Sequence, residues 1–76
     1  MIVRKITDTK VPELGKKIKE ARLSDQRSLA QICREIPMSP VNWYKIESEE
    51  TKALPIETLR RIEQVLGINL NVYIDT

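Results

Sequence analysis

The chain has 76 residues, enough for one domain with a small core or for a small domain completed by a partner. Lys and Arg number 13 against 11 Asp and Glu, a net charge of +2 too mild to imply nucleic acid by itself; residues 1–34, however, hold 9 basic and 4 acidic side chains and residues 35–76 hold 4 and 7, so one face is expected to be basic. The single cysteine excludes an internal disulfide framework and fits a reducing compartment, no apolar run is long enough for a transmembrane helix, and MIVRKITDTK lacks a signal-peptide pattern, so a cytoplasmic protein with no membrane partner is expected.

Residues 2–6, within IVRKIT, predict an edge strand with Ile2, Arg4 and Ile6 on one face. Residues 12–23 predict a helix. Leu14, Ile18 and Ala21 recur at helical spacing, Pro12 and Glu13 suit a first turn, and Lys16, Lys17 and Lys19 line the exposed sides. A second helix over 28–36 is capped by Ser28, striped by Leu29, Ile32, Cys33 and Ile36, and stopped by Pro37. A third over 39–47, SPVNWYKIE, has Ser39 as its cap and Pro40 in its first turn. Trp43 and Ile46 face inward there, while Pro40, Val41 and Tyr44 face outward.

SEETKAL, 48–54, reads as a loop. The segment 55–66 has the strongest amphipathic pattern, with Ile56, Leu59, Ile62, Val65 and Leu66 on one stripe, Pro55 opening it and Gly67 ending it. Residues 68–75 alternate, Ile68, Leu70, Val72 and Ile74 against Asn69, Asn71, Tyr73 and Asp75, which predicts a strand with one buried side. The fold class expected is an all-α core of four or more helices with short N- and C-terminal β-strands, one domain over 1–76.

Helices as short as the second and third persist only through tertiary contacts. Packing both on a longer helix to each side gives a helix-turn-helix inside a bundle. Residues 14–66, roughly two-thirds of the chain, resemble the phage repressor and Cro (XRE-like) family of helix-turn-helix domains. LGKKIKEAR resembles the family's first helix and SLAQICREI its second, with Cys33 at a small packing position. PMS takes the place of the tight turn, the Trp43, Ile46 and Glu47 pattern is similar to the end of the recognition helix, and ETLRRIEQVLGI resembles the fourth helix.

The resemblance implies a lambda-repressor-like fold and sequence-specific binding of double-stranded DNA by a transcriptional regulator of the repressor/Cro or antitoxin type. It also implies that Arg22, late in the first helix, pairs with Glu47, and that Pro40, Val41, Tyr44 and Lys45 face the major groove. There Lys45 can donate to guanine O6 or N7, Val41 can contact a thymine methyl, and Tyr44 can reach a phosphate or a base edge. Lys16, Lys17, Arg27, Ser28, Arg34, Asn42 and Lys52 are the candidates for the DNA backbone. Pro40 has no side-chain donor, Leu29 cannot reach a phosphate by hydrogen bonding, and Glu49 and Glu50 are expected to repel phosphates, which Lys52 offsets in part.

A protein-interaction adaptor is the alternative, because an exposed aromatic beside an aliphatic residue also anchors protein contacts. The tail strand, with Ile68, Leu70, Val72 and Ile74, is expected to pair with residues 2–6, to extend across a two-fold axis into a homodimer, or both. Enzymatic chemistry has no support in the sequence. There is no histidine and no Gly-rich phosphate loop, and no carboxylate pair is singled out by spacing. No catalytic residue, metal ligand or cofactor is therefore expected, and Cys33 is expected to pack as a small apolar residue, with Trp43 and Ile46 also in the core.

Overall fold

The computed structural model describes residues 1–4 and 8–72. Its order is β1 (Ile2–Arg4), β2 (Asp8–Lys10), α1 (Leu14–Ser24), α2 (Leu29–Glu35), α3 (Pro40–Glu47), β3 (Ala53–Pro55) and α4 (Ile56–Leu66). The four helices fall where hydrophobic spacing predicts them, with shifted ends. Glu13 adopts a left-handed conformation (φ 60°), so α1 begins at Leu14 and not at Pro12. Glu13 gives α1 no side-chain cap; the carboxylate of Glu49, far along the chain, accepts the Gly15 N–H at 3.2 Å instead.

α2 is closed by a capping box. The Ser28 hydroxyl accepts the Gln31 N–H at 3.3 Å, and the Gln31 side chain accepts the Ser28 N–H at 2.9 Å. Ser39 caps α3 by accepting the Asn42 N–H at 3.2 Å, with Pro40 at the first helical position. α4 ends on Gly67 in the left-handed conformation at φ 65°, which frees the chain to turn back over the bundle.

The core is built from the inward stripes of all four helices. Leu14 and Ile18 of α1, Ile32 of α2, Trp43 of α3, and Leu59 and Ile62 of α4 are fully buried; Cys33, Ile36, Ile46 and Ile56 join them. Half-buried Leu29, Val65 and Leu66 pack around this centre. None of the four helices exceeds 11 residues, so this shared core and not intrinsic propensity holds them.

The strands depart from expectation. β1 pairs antiparallel with β2 and parallel with β3, giving the sheet order β2-β1-β3. β3 arises within and just after a segment expected to be a loop, because Leu54 lies in register with Val3 and both side chains are buried. The inward residue of β1 is accordingly Val3; Arg4 is exposed and Ile2 half-buried, while Ile6 lies outside the described residues.

Residues 68–72 do not form the expected strand. Asn71 is left-handed (φ 58°) and donates its N–H to Asn69 Oδ1 at 2.8 Å, which turns the chain. Leu70 and Val72 are nevertheless buried in the core of this same chain, and Ile68 packs against it. The segment is latched to α4. Glu63, itself buried, accepts the Leu70 N–H at 2.8 Å and Arg60 at 2.7 Å, and Arg60 reaches on to the Val72 carbonyl at 2.8 Å. Residues 73–75 of the expected strand, including Ile74, lie outside the described residues.

Trp43 is the largest of the fully buried side chains. Trp43→Ala is expected to cost about 3–5 kcal/mol by removing that burial and leaving a cavity. Urea unfolding monitored by circular dichroism measures it; a change below about 1 kcal/mol would show that the core closes around alanine, contrary to a packed interior.

Candidate functional site

The surface singled out by the sequence is the outward face of α3, and three contacts determine how that helix sits. The first is steric. A Cβ placed on Gly15 would lie 2.5 Å from the carbonyl oxygen of Glu47 and 2.6 Å from that of Ile46, so glycine allows α1 and the end of α3 to touch backbone to backbone. The second is the pair implied by the resemblance: Arg22 Nε donates to Glu47 Oε2 at 2.6 Å and Nη2 donates to Oε1 at 3.1 Å, a two-pronged bridge between α1 and α3. The third is internal to α3, where the indole N–H of Trp43 donates to Glu47 Oε2.

The Glu47 side chain is only 5% exposed and that of Arg22 17%. Hydrogen bonding to Glu47 raises the Arg22 pKa against the opposing effect of burial. The guanidinium carbon also stands 5.8 Å from the centroid of the Tyr44 ring, so one cation organises both the inner carboxylate and the outer aromatic.

The face that results carries Pro40, Val41, Asn42, Tyr44 and Lys45, all exposed. The backbone candidates divide. Lys16, Lys17, Ser28, Arg34 and Lys52 are exposed, and Ser28 does so as the cap of α2. Lys17 lines clefts with Asn71 and Val72 of the tail, away from α3. It is Lys19, not among the expected contacts, that shares a shallow pocket with Tyr44 and Ser48. Its position was legible: it lies four residues after Gly15 and three before Arg22, the two α1 residues that touch α3, and so on the same side of that helix.

Arg27, expected to face a phosphate, is instead engaged by other groups of this chain. It donates to both oxygens of Asp25 at 3.0 and 2.8 Å, to Glu35 at 2.6 Å, and to the carbonyl of Val65. The Arg27 guanidinium, and after it the Arg27 N–H that donates to Asp25 Oδ1 at 2.8 Å, hold the Asp25 carboxyl at about 2, below its usual 3.8. The acidic pair also divides. Glu49 points at the start of α1, where it caps Gly15, while Glu50 is exposed and accepts from the Ser48 hydroxyl at 3.2 Å. Cys33 is buried, which pushes its thiol pKa up.

The expected dimer residues are likewise redistributed: Leu70 and Val72 are buried in the chain's own core, Ile68 packs against it, and 68–72 is not a strand. Among the described residues no three His, Cys, Asp or Glu side chains gather as a metal-ligand set, and no helix is long and apolar enough to cross a membrane. Comparison with known proteins finds no matching family model, no matching curated protein and no matching solved structure.

Two outcomes follow from this geometry. Gly15→Ala is expected to destabilise the fold by about 1–3 kcal/mol, since its methyl group collides with backbone that cannot rotate away; chemical-shift changes should spread to residues 44–48, and a melting curve equal to wild type would contradict the close approach. Asp25 has a folded-state pKa below its unfolded one, so its contribution is present above pH 4 and is lost as pH falls from about 4 to about 2. Asp25→Asn should therefore flatten the acid limb of the stability profile in that window; parallel profiles for the two proteins would exclude the Asp25–Arg27 pairing as a source of acid sensitivity.

Proposed function

We propose that this chain is a lambda-repressor-like helix-turn-helix domain that binds double-stranded DNA sequence-specifically, as a homodimeric transcriptional regulator of the repressor/Cro or antitoxin type. In this reading α2 and α3, joined by residues 36–39, are the helix-turn-helix pair, α3 enters the major groove, and no catalysis or cofactor is involved. The observation that carries it is the two-pronged Arg22–Glu47 bridge, which the resemblance implied from residue types alone and whose role in the family is to orient the recognition helix. The placement of Glu49 supports it too: a carboxylate engaged by the first turn of α1 is a weaker obstacle to phosphate than two free ones.

Lys45 is the base-reading cation, Val41 and Tyr44 supply apolar contacts, and Lys16, Lys19, Arg34 and Lys52 are the backbone cations in this reading. A protein-binding adaptor is the second reading, favoured by the exposure of Val41 (62%) and Tyr44 (52%).

Selection from a pool of random duplexes, followed by a salt titration of any enriched sequence, separates the two. The regulator should enrich a motif with two half-sites, bind more weakly as salt rises, and lose about 1–3 kcal/mol of discrimination in Lys45→Ala. A folded protein that enriches nothing at low salt would remove the DNA reading; a salt-insensitive protein partner lost in Tyr44→Ala would establish the adaptor.

A further inference from the structure

Beside the sheet lies a cavity of about 640 Å³ whose surface is mainly apolar. That surface comes from Met1, Ile2, Val11 and Pro12. Val3 takes the inward side of β1, so Ile2, one residue earlier, lies on the opposite face of the sheet. Small-molecule sites have volumes of roughly 300–1,000 Å³ and combine an apolar lining with a few polar groups. This cavity has both properties.

Its polar groups include two cations, Lys10 and Lys52. Strand pairing sets them on either side of Ile2. Lys10 is the register partner of Ile2 on β2, and directly opposed residues share a face of a sheet. On the other side the Ile2 N–H donates at 3.0 Å to the carbonyl of Lys52, just before β3. Both lysines are exposed, and among the described residues no carboxylate pairs with either. The cavity also holds a carboxylate, Glu49, but its charge is engaged. Oε1 accepts the Gly15 N–H at 3.2 Å, and Oε2 stands 3.5 Å from the Met1 ammonium. An occupant therefore meets positive charge beside an apolar surface.

We infer that this cavity binds a small amphipathic anion: a free carboxylic acid with an alkyl or aromatic body, its carboxylate held by Lys10 and Lys52, its body on Ile2, Val11 and Pro12. Two lysines are too few for a membrane surface, which is recognised by clusters of several basic residues. The inference does not rest on DNA binding, but it bears on it. Lys52 is one of the backbone cations of that reading, so an occupied cavity withdraws it from phosphate. Glu49 also ties the cavity to Gly15, the residue on which α1 meets α3.

The test is a titration of octanoate into the isotope-labelled full chain without DNA, followed by nuclear magnetic resonance. 1-Octanol and octylammonium serve as the neutral and cationic counterparts of equal length. Octanoate should saturate, moving the amide signals of Ile2, Lys10, Val11, Thr51 and Lys52. It should bind about fivefold more tightly than 1-octanol, as two partly exposed ion pairs allow, and octylammonium should bind more weakly than either. The preference for the anion should shrink as salt rises. Lys10→Ala and Lys52→Ala should each lower it by about twofold, and the double variant should abolish it. Circular dichroism establishes that each variant is folded. Equal affinity for all three probes would overturn anion recognition. Saturable shifts centred elsewhere, or no saturation below the micelle threshold of octanoate, would overturn the site. None of these results decides the DNA reading, which the duplex selection tests separately.

Discussion

The Glu47 carboxylate is the point on which the rest of the structure turns. It closes α3, receives both prongs of Arg22 from α1, and accepts the indole N–H of the core tryptophan. A carboxylate this buried is costly unless its charge is paired and its lone pairs are used, and here both conditions hold. The indole, from α3 itself, fixes the carboxylate's orientation, and the two prongs of Arg22 then tie that oriented group to α1. The close passage of Gly15 under the same turn removes the remaining slack.

Elsewhere the same solution recurs: polar side chains reach across sequence to satisfy backbone groups that short elements leave open. Glu49 serves the start of α1, Arg27 reaches the Val65 carbonyl near the end of α4, and Glu63 with Arg60 secures the turn that carries Leu70 and Val72 into the core. A domain of this size has little apolar interior to spare, so buried or half-buried charge-assisted bonds take on much of the positioning. A consequence is that several charges suited by type to a phosphate are occupied at home. Of those left exposed, Lys45 lies on α3 itself and Lys19 shares a pocket with Tyr44, beside the exposed Val41 and Tyr44 side chains of that helix.

Much of the architecture was legible from residue order. The α4 stripe, the Ser39–Pro40 start of α3, the Ser28 cap and the Gly67 stop are local signals, because each depends on φ/ψ preference or on side chains one helical turn apart. The inward placing of Trp43 and Ile46, and hence the outward placing of Val41 and Tyr44, follows from the same 3.6-residue period. Of the candidate contacts, Lys19 could have been found by the same rule once Gly15 and Arg22 were taken as the α3-facing side of α1.

What the sequence by itself determined is therefore the set of helices, their ends to within a turn, and the face each buries. Tertiary structure alone decided the partners. Alternation in 68–72 was true to burial yet false to strand, since period two records which side chains are inward and not what the backbone bonds to; Asn71 turns the chain, and Glu63 supplies the bond a neighbouring strand would have given. β3 was invisible because three residues become a strand only when β1 lies alongside. The reach of Arg27 to the Val65 carbonyl and of Glu49 to the Gly15 N–H was equally beyond local reading, for a charge at the end of a long side chain goes to whichever open group the folded chain brings within reach, and that distance exists only after folding; the Arg27–Asp25 pair, two residues apart, is the local part of that network.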